Sequence, residues 1–154
     1  MECENCTMCC KLMFIQEFGS KSGEWCEHCN PGVGCKIYHT RPPECSDFFC
    51  MYAQMDKCSE DLRPDNCKVI FEKLNDHLIY GTIDSHLTKL KKSVVNQIEN
   101  FKKQGFSVLL RKIDKLSPVL LLAEGHTKEQ IAKEFESFVM NRGGKRDGNP
   151  IIHN

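Results

Sequence analysis

The chain has 154 residues, the size of one ordinary domain or of one core with a small satellite. Apolar residues make up 40% of it, enough for a modest core, and no apolar run reaches the ~20 residues needed to cross a bilayer. The formal charge sums to zero but divides unevenly: residues 1–67 hold 6 Lys+Arg against 11 Asp+Glu, and residues 68–154 hold 15 against 10, so an acidic half precedes a basic one.

The first element is a run of cysteines. Cys3-Glu-Asn-Cys6-Thr-Met-Cys9-Cys10 places four thiols in eight residues. Two thiolates separated by two residues reach one metal centre, because a tight turn points both sulfurs inward. Three at C-x2-C-x2-C form the run with which bacterial ferredoxins hold three corners of a 4Fe–4S cluster. Cys9 and Cys10 are adjacent and point in different directions, so they are expected to serve two centres, or one centre and a neighbour. A second group comes next as Cys26-x2-Cys29-x5-Cys35-x9-Cys45-x4-Cys50. Together the groups offer nine candidate ligands, one more than two four-cysteine sites require, and spacing alone does not pair them.

Between the thiols the chain is irregular. Asn30-Pro31-Gly32-Val33-Gly34 is a turn by composition. Leu12, Phe14, Ile15, Trp25, Ile37, Tyr38, Phe48 and Phe49 are the packing candidates. Such a segment buries little apolar surface, so metal ligation is expected to supply its folding energy. Arg41-Pro42-Pro43 fixes the backbone ahead of Cys45. Arg41 is either a counter-charge to the thiolates or a surface residue before a rigid turn. His28 and His39 are near enough to serve as nitrogen ligands, although thiolates outnumber them. Cys58 and Cys67 stand apart and read as structural.

A secreted disulfide framework is the other use of so many cysteines, and three features speak against it. The chain begins MECENC, without the basic and apolar regions of a secretory signal. The total of eleven is odd. The cysteines are also packed too closely for easy internal bridging. A reducing, cytoplasmic location and metal chemistry are the expectation.

These strings resemble the YkgJ-like cysteine-cluster family, described as a zinc- or iron-chelating domain or an iron–sulfur protein. The resemblance rests on C-x2-C-x2-CC, on Cys26-Glu-His-Cys29, and on Cys35-Lys-Ile-Tyr-His-Thr-Arg-Pro-Pro-Glu-Cys45-Ser-Asp-Phe-Phe-Cys50. Asp61-Leu62-Arg63-Pro64-Asp65 through Phe71 also resembles the segment C-terminal to the cysteine cluster in some members. Carried over residue by residue, the resemblance implies Cys3, Cys6, Cys9, Cys10, Cys26, Cys35, Cys45 and Cys50 as the metal ligands. Cys29 stands where members commonly have leucine, and is a spare thiol, an alternative ligand or a packing residue.

From Val69 the chain reads as ordinary α+β. Residues 69–74 and 77–83 are expected to be strands around Asn75-Asp76, although Ile70, Leu74, His77 and Leu78 also suit a helix. Leu87, Leu90, Val94, Val95, Ile98 and Phe101 recur at helical spacing, predicting a helix over 85–104 ended by Gly105. Residues 106–113 and 118–123 predict a second hairpin. Thr127 with Gln130 is a capping-box signature opening a helix through Ile131, Phe135, Phe138 and Val139, ended by Gly143-Gly144. The fold class expected is α+β: an irregular, metal-stapled module over 1–67, then two β-hairpins and two α-helices in a small portion over 68–144, and a frayed tail over 145–154.

The function these readings imply is metal binding. C-x2-C-x2-C favours iron–sulfur, with a redox or carrier role, and a structural zinc-binding interaction module is the alternative. The resemblance also extends to flagellin lysine N-methylases, which carry this domain within a much longer chain, and so to a component of a protein-modifying enzyme. No Gly-rich methyl-donor loop comes after a strand here. Metal ions are the expected partners, with a protein partner through the basic half and no membrane. Lys89, Lys91, Lys92, Lys102 and Lys103 read as the solvated face of the long helix. No aromatic-interleaved basic string of the kind that binds single-stranded nucleic acid occurs, and the acidic cysteine half would repel phosphate.

Overall fold

The computed structural model of the chain describes residues 5–55 and 58–141. Cys3, the Gly143-Gly144 stop and the tail over 145–154 lie outside the described residues. Among the described residues, six α-helices, three short 3-10 turns and two sheets make a mixed α+β structure. In the first part these are one-turn helices α1 (Cys9–Leu12), α2 (Pro43–Ser46), α3 (Met51–Gln54) and α4 (Pro64–Cys67), with a two-residue ladder of β1 (Cys29–Asn30) and β2 (Gly34–Cys35). The second part holds β3 (Val69–Lys73), β4 (Leu78–Ile83), α5 (Lys92–Lys103), β5 (Ser107–Lys112), β6 (Val119–Leu121) and α6 (Lys128–Asn141).

The strands form one sheet in the order β3-β4-β5-β6. β3–β4 and β5–β6 are antiparallel hairpins, while β4 and β5 run parallel, joined by the crossover through α5. Register pairs Val69 with Ile83 and Phe71 with Gly81, and sets Ile79 beside Val108. One face therefore presents Val69, Phe71, Ile79, Val108 and Leu110 to Val94, Ile98 and Phe101 of α5. The opposite face is shared. Ile131 and Phe135 of α6 cover Leu78 and Leu109, while Met8, Leu12, Cys50, Tyr52 and Ala53 cover Ile70 of β3.

Covering both faces explains the poor alternation of the strands. Val69, Ile70 and Phe71 are all buried, as are residues 107–110 of β5, so these strands read as continuous apolar runs. The 69–83 segment is a hairpin and not a helix. Its turn is held by Asn75, whose Oδ1 accepts from His77 N and Leu78 N (both 2.8 Å).

The long helix is shorter than its apolar spacing predicts, beginning at Lys92 and not at residue 85. Asp84 prevents the earlier start: its Oδ1 accepts from His86 N (3.0 Å) and its carbonyl from Leu87 N (3.0 Å), a turn that competes with helix. Leu87 and Leu90 still pack against the α5-side core from this turn, which is why they keep the rhythm of the helix behind them. Gly105, at φ 88°, ends α5 as expected. At the start of α6, Thr127 Oγ1 accepts from Gln130 N (3.2 Å), but the Gln130 side chain turns to Glu134 Oε1 (3.2 Å).

Within the cysteine part, Leu12 and Ile15 are buried, and Phe14, Ile37 and Phe48 half-buried. Trp25, Tyr38 and Phe49 are 41%, 53% and 56% exposed, contrary to the packing role expected of them. One-turn helices and a two-residue ladder provide no face wide enough to cover such rings. Tyr38 instead carries the Arg41 guanidinium 3.9 Å from its ring centroid.

Candidate metal centre

The first cysteine string is shaped by a helical turn. Cys10 N donates to Thr7 O (3.0 Å) and Met13 N to Cys9 O (3.0 Å), which winds Cys9 and Cys10 into α1. Met8 and Leu12, on one side of that turn, are buried at 2% and 1% exposure and anchor it beneath β3. Cys6 and Cys9 are half-buried against the same apolar cluster, as is Cys58.

Backbone hydrogen bonds then bring the second string onto the first. Cys26 N donates to Cys10 O (2.9 Å), and Gly23 N to Lys11 O (2.7 Å). Cys29 N donates to Cys26 O (2.9 Å), closing a tight turn between the members of the C-x2-C pair. Gly32 N donates to Thr7 Oγ1 (3.0 Å), so the Pro31-Gly32 turn is tied to α1 as well. At the base of that turn Cys29 lies directly opposite Cys35 in the β1–β2 ladder, which sets the two side chains on one face.

Side-chain interactions extend the group. The Cys10 thiol is hydrogen-bonded to those of Cys9 and Cys29, and Cys29 is further hydrogen-bonded to the Thr7 side chain. Cys45, on the turn opened by Pro43, faces the charges that Cys9, Cys26 and Cys35 would carry. Six thiols from positions 9 to 45 thus share one neighbourhood. Cys50 lies beyond it, 8% exposed in the apolar cluster beneath β3.

Cys6, Cys10, Cys29 and Cys45 are held toward their protonated forms. The hydrogen bond that the Cys10 thiol donates to Cys9, then burial, then the charges of Cys9 and Cys29 push the Cys10 thiol far above its ordinary value. Burial first, and then Cys9, Cys26 and Cys35, push Cys45 up to about 11, against the opposing pull of Arg41. Cys29 and Cys6 are raised too, first by burial. A nucleophilic or redox-reactive cysteine needs the opposite shift. Crowded thiols, several of which resist ionisation, suit a cation that replaces several protons at once. Soft sulfur donors fit zinc or iron–sulfur chemistry. Among the described residues, however, no three His, Cys, Asp or Glu side chains form a group already arranged to hold a metal ion. The backbone gathers the cysteines, while their side chains bond one another.

Of the ligands expected from the sequence, Cys9, Cys10, Cys26, Cys35 and Cys45 come together here. Cys6 and Cys50 adjoin from the β3 side, and Cys3 lies outside the described residues. Cys29, which the sequence left without a role, stands inside the group. Its signal was present in the C-x2-C spacing with Cys26. A second contributor also passed unassigned: the half-buried Arg63 guanidinium hydrogen-bonds the Cys6 sulfur and Asn5 Oδ1 and forms an ion pair with Asp65 Oδ1 at 2.9 Å. His28 packs its ring edge on Phe18, with 4.6 Å between centroids, and His39 is exposed on Tyr38. Cys67 is fully buried, its Sγ donating to Leu62 O (3.4 Å) and Val69 O (3.3 Å) beneath α5.

Compared with known proteins, the chain matches no family model, no curated protein and no solved structure. No helix among the described residues is long and apolar enough to cross a membrane.

Proposed function

We propose that this chain is a metal-binding protein whose cysteine thiolates hold one or two iron–sulfur clusters, with a redox or carrier role in the cytoplasm. The observation that carries the reading is the convergence of six thiols, from Cys9 to Cys45, on α1 and the β1–β2 ladder. The C-x2-C-x2-C run from Cys3 to Cys9 favours iron, and the resemblance to the YkgJ-like family supports metal binding by either metal. In this reading residues 1–67 are a module folded by its metal and seated on the α+β portion over 68–144. Cys6, Cys9, Cys10, Cys26, Cys35, Cys45 and Cys50, together with Cys3, are its ligands. Bound there, a cluster supplies reversible one-electron transfer.

A structural zinc site is the second reading. It is favoured by the Cys26–Cys29 turn leading into a ladder at Cys35, an arrangement suited to a four-thiolate zinc site. Metal and acid-labile sulfide analysis of anaerobically purified chain, with absorption spectra, separates the two. A brown protein containing iron and sulfide upholds the first reading. A colourless one with stoichiometric zinc replaces it with the second, and a metal-free folded chain overturns both.

A further inference from the structure

The β1–β2 hairpin is set by its own turn. Val33 N donates to Asn30 O (2.9 Å), and Gly32, at φ 74° behind Pro31, takes the left-handed position that such a turn requires. The Gly32 N–H binds Thr7 Oγ1 (3.0 Å), which seats the hairpin on α1. Below the turn Cys29 stands directly opposite Cys35. Lys36 N donates to His28 O (2.8 Å), while Cys29 N turns away from the partner strand to Cys26 O (2.9 Å). The two cysteines are therefore a non-hydrogen-bonded pair, the kind in which side chains approach most closely. Cα atoms of such pairs are about 4.5 Å apart, within the roughly 4.4–6.8 Å that a disulfide spans. The hairpin thus opposes two thiols that spacing within one segment would keep apart.

We infer that Cys29 and Cys35 form a reversible cross-strand disulfide, closed by thiol–disulfide exchange with a small disulfide such as oxidised glutathione. Access assigns the order. Cys35 is partly exposed and Cys29 only 6% exposed. The Cys35 thiolate therefore attacks first, breaking the S–S bond of the small disulfide and releasing one of its halves as a thiolate. Cys29, whose burial raises its thiol and makes it a slow first attacker, then displaces the other half from the Cys35 sulfur. Two protein thiols give up two electrons and two protons, and one small disulfide takes them up as two thiols. The Cys29 sulfur leaves its hydrogen bonds to Cys10 and Thr7 to do so. Cys10 is the weaker partner for it, since its thiol is held far toward the protonated form. The bridge also has a consequence that rests on the metal-binding reading above: it withdraws Cys35 from the ligands, so the site fills only in the reduced chain.

The test treats the full-length chain, purified anaerobically, with oxidised glutathione in the presence and absence of a chelator, then alkylates it and maps it by mass spectrometry. Cleavage at Lys21 and Lys36 isolates Cys26, Cys29 and Cys35 on one peptide. With chelator, that peptide is expected to carry an alkyl group on Cys26 alone, its other two thiols lost to a bridge that dithiothreitol reopens. Cys29→Ser is expected to stop at a glutathione adduct on Cys35, and Cys35→Ser to leave Cys29 neither bridged nor adducted. Alkylation of both cysteines in the treated wild type, a lasting adduct on Cys35, or a bridge from Cys29 to Cys10 or Cys26 overturns the inference and leaves the metal-binding reading standing. Bound metal is expected to slow the bridge, and the bridged chain to hold less iron or zinc than the reduced one. Bridging at the same rate with and without chelator upholds the disulfide and removes Cys35 from the ligand set. If the serine variants fail to fold, the wild-type map decides alone.

Discussion

Lys11 Nζ lies 2.7 Å from Asp84 Oδ2, an ion pair that joins the cysteine part to the end of β4 across 73 residues of sequence. Both partners are shielded, with side chains 12% and 4% exposed. His86 completes the arrangement, its Nδ1 3.1 Å from Asp84 Oδ1 and 3.4 Å from Lys11 Nζ. Because Lys11 is the residue after Cys10, the pair also fixes where α1 stands relative to the sheet. Burial raises the Asp84 carboxyl, but the bonds from Lys11 and His86 outweigh it and hold the group at about 2 against an ordinary 3.8.

The sign of the resulting pH dependence is set by linkage. A carboxylate with a lowered folded-state pKa contributes stability that is complete above its unfolded value, here 3.8, and is lost as pH falls through about 2. The shift corresponds to about 2 kcal/mol. Denaturant unfolding between pH 5 and pH 2, at about half-unit steps, is expected to show this loss in the wild type. Asp84→Asn is expected to be less stable by about 2 kcal/mol at neutral pH and flatter across that window. A variant with the wild-type slope would place the acid sensitivity elsewhere.

Serine substitutions divide the cysteines by role. Cys→Ser at Cys6, Cys10, Cys35, Cys45 or Cys50 is expected to lower bound metal and solubility together, since in the proposed reading these ligands also hold the fold. Cys58→Ser is expected to leave both near wild type. Its thiol sits half-buried at the rim of the cluster around Met8 and Leu12, outside the group that gathers on α1. Full metal retention in Cys6→Ser would remove Cys6 from the ligand set.

Cys67 offers the converse case. Burial pushes its thiol up to about 11, and its Sγ–H is shared between two carbonyls under α5. Cys67→Ala removes a buried group and its hydrogen bonds, for an expected loss of about 1–2 kcal/mol. Metal content should not change. Metal loss in a variant whose sheet remains folded would make Cys67 a ligand.

Much of the second half was legible because local signals there agree with the fold. Gly105 stops α5 where the sequence marks it, and both hairpins fall where apolar runs meet Asn75-Asp76 and Lys115-Leu116-Ser117. The start of α5 was hidden because Leu87 and Leu90 meet the same core without being helical; an Asx turn at Asp84 leaves no trace in apolar spacing. The first half was less legible for a related reason. Trp25, Tyr38 and Phe49 look like core when apolarity alone is counted, but no element there is long enough to bury them. The gathering of the thiols depends on Cys26 N reaching Cys10 O and on the Cys29–Cys35 register, both contacts between segments that no spacing within one segment encodes.

Gly81 tests how closely β3, β4 and β5 are fitted beneath α5. It pairs with Phe71 on one side and lies beside Leu110 on the other. A Cβ added there would stand 2.6 Å from Leu110 Cδ2 and 3.0 Å from Phe71 Cε1. Both neighbours are buried, at 6% and 7% exposure, and Phe71 is held edge-on by Phe101 at 5.4 Å between centroids. Neither can swing into solvent, so Gly81→Ala is expected to cost about 1–3 kcal/mol by overpacking, despite the gain in strand propensity over glycine. Leu110→Val withdraws the nearer methyl group and should recover part of that loss. A double-mutant cycle on thermal or denaturant unfolding is expected to give a favourable coupling of about 1 kcal/mol. Additive effects would mean that the strain is relieved by movement of the Phe71 ring and not at Leu110.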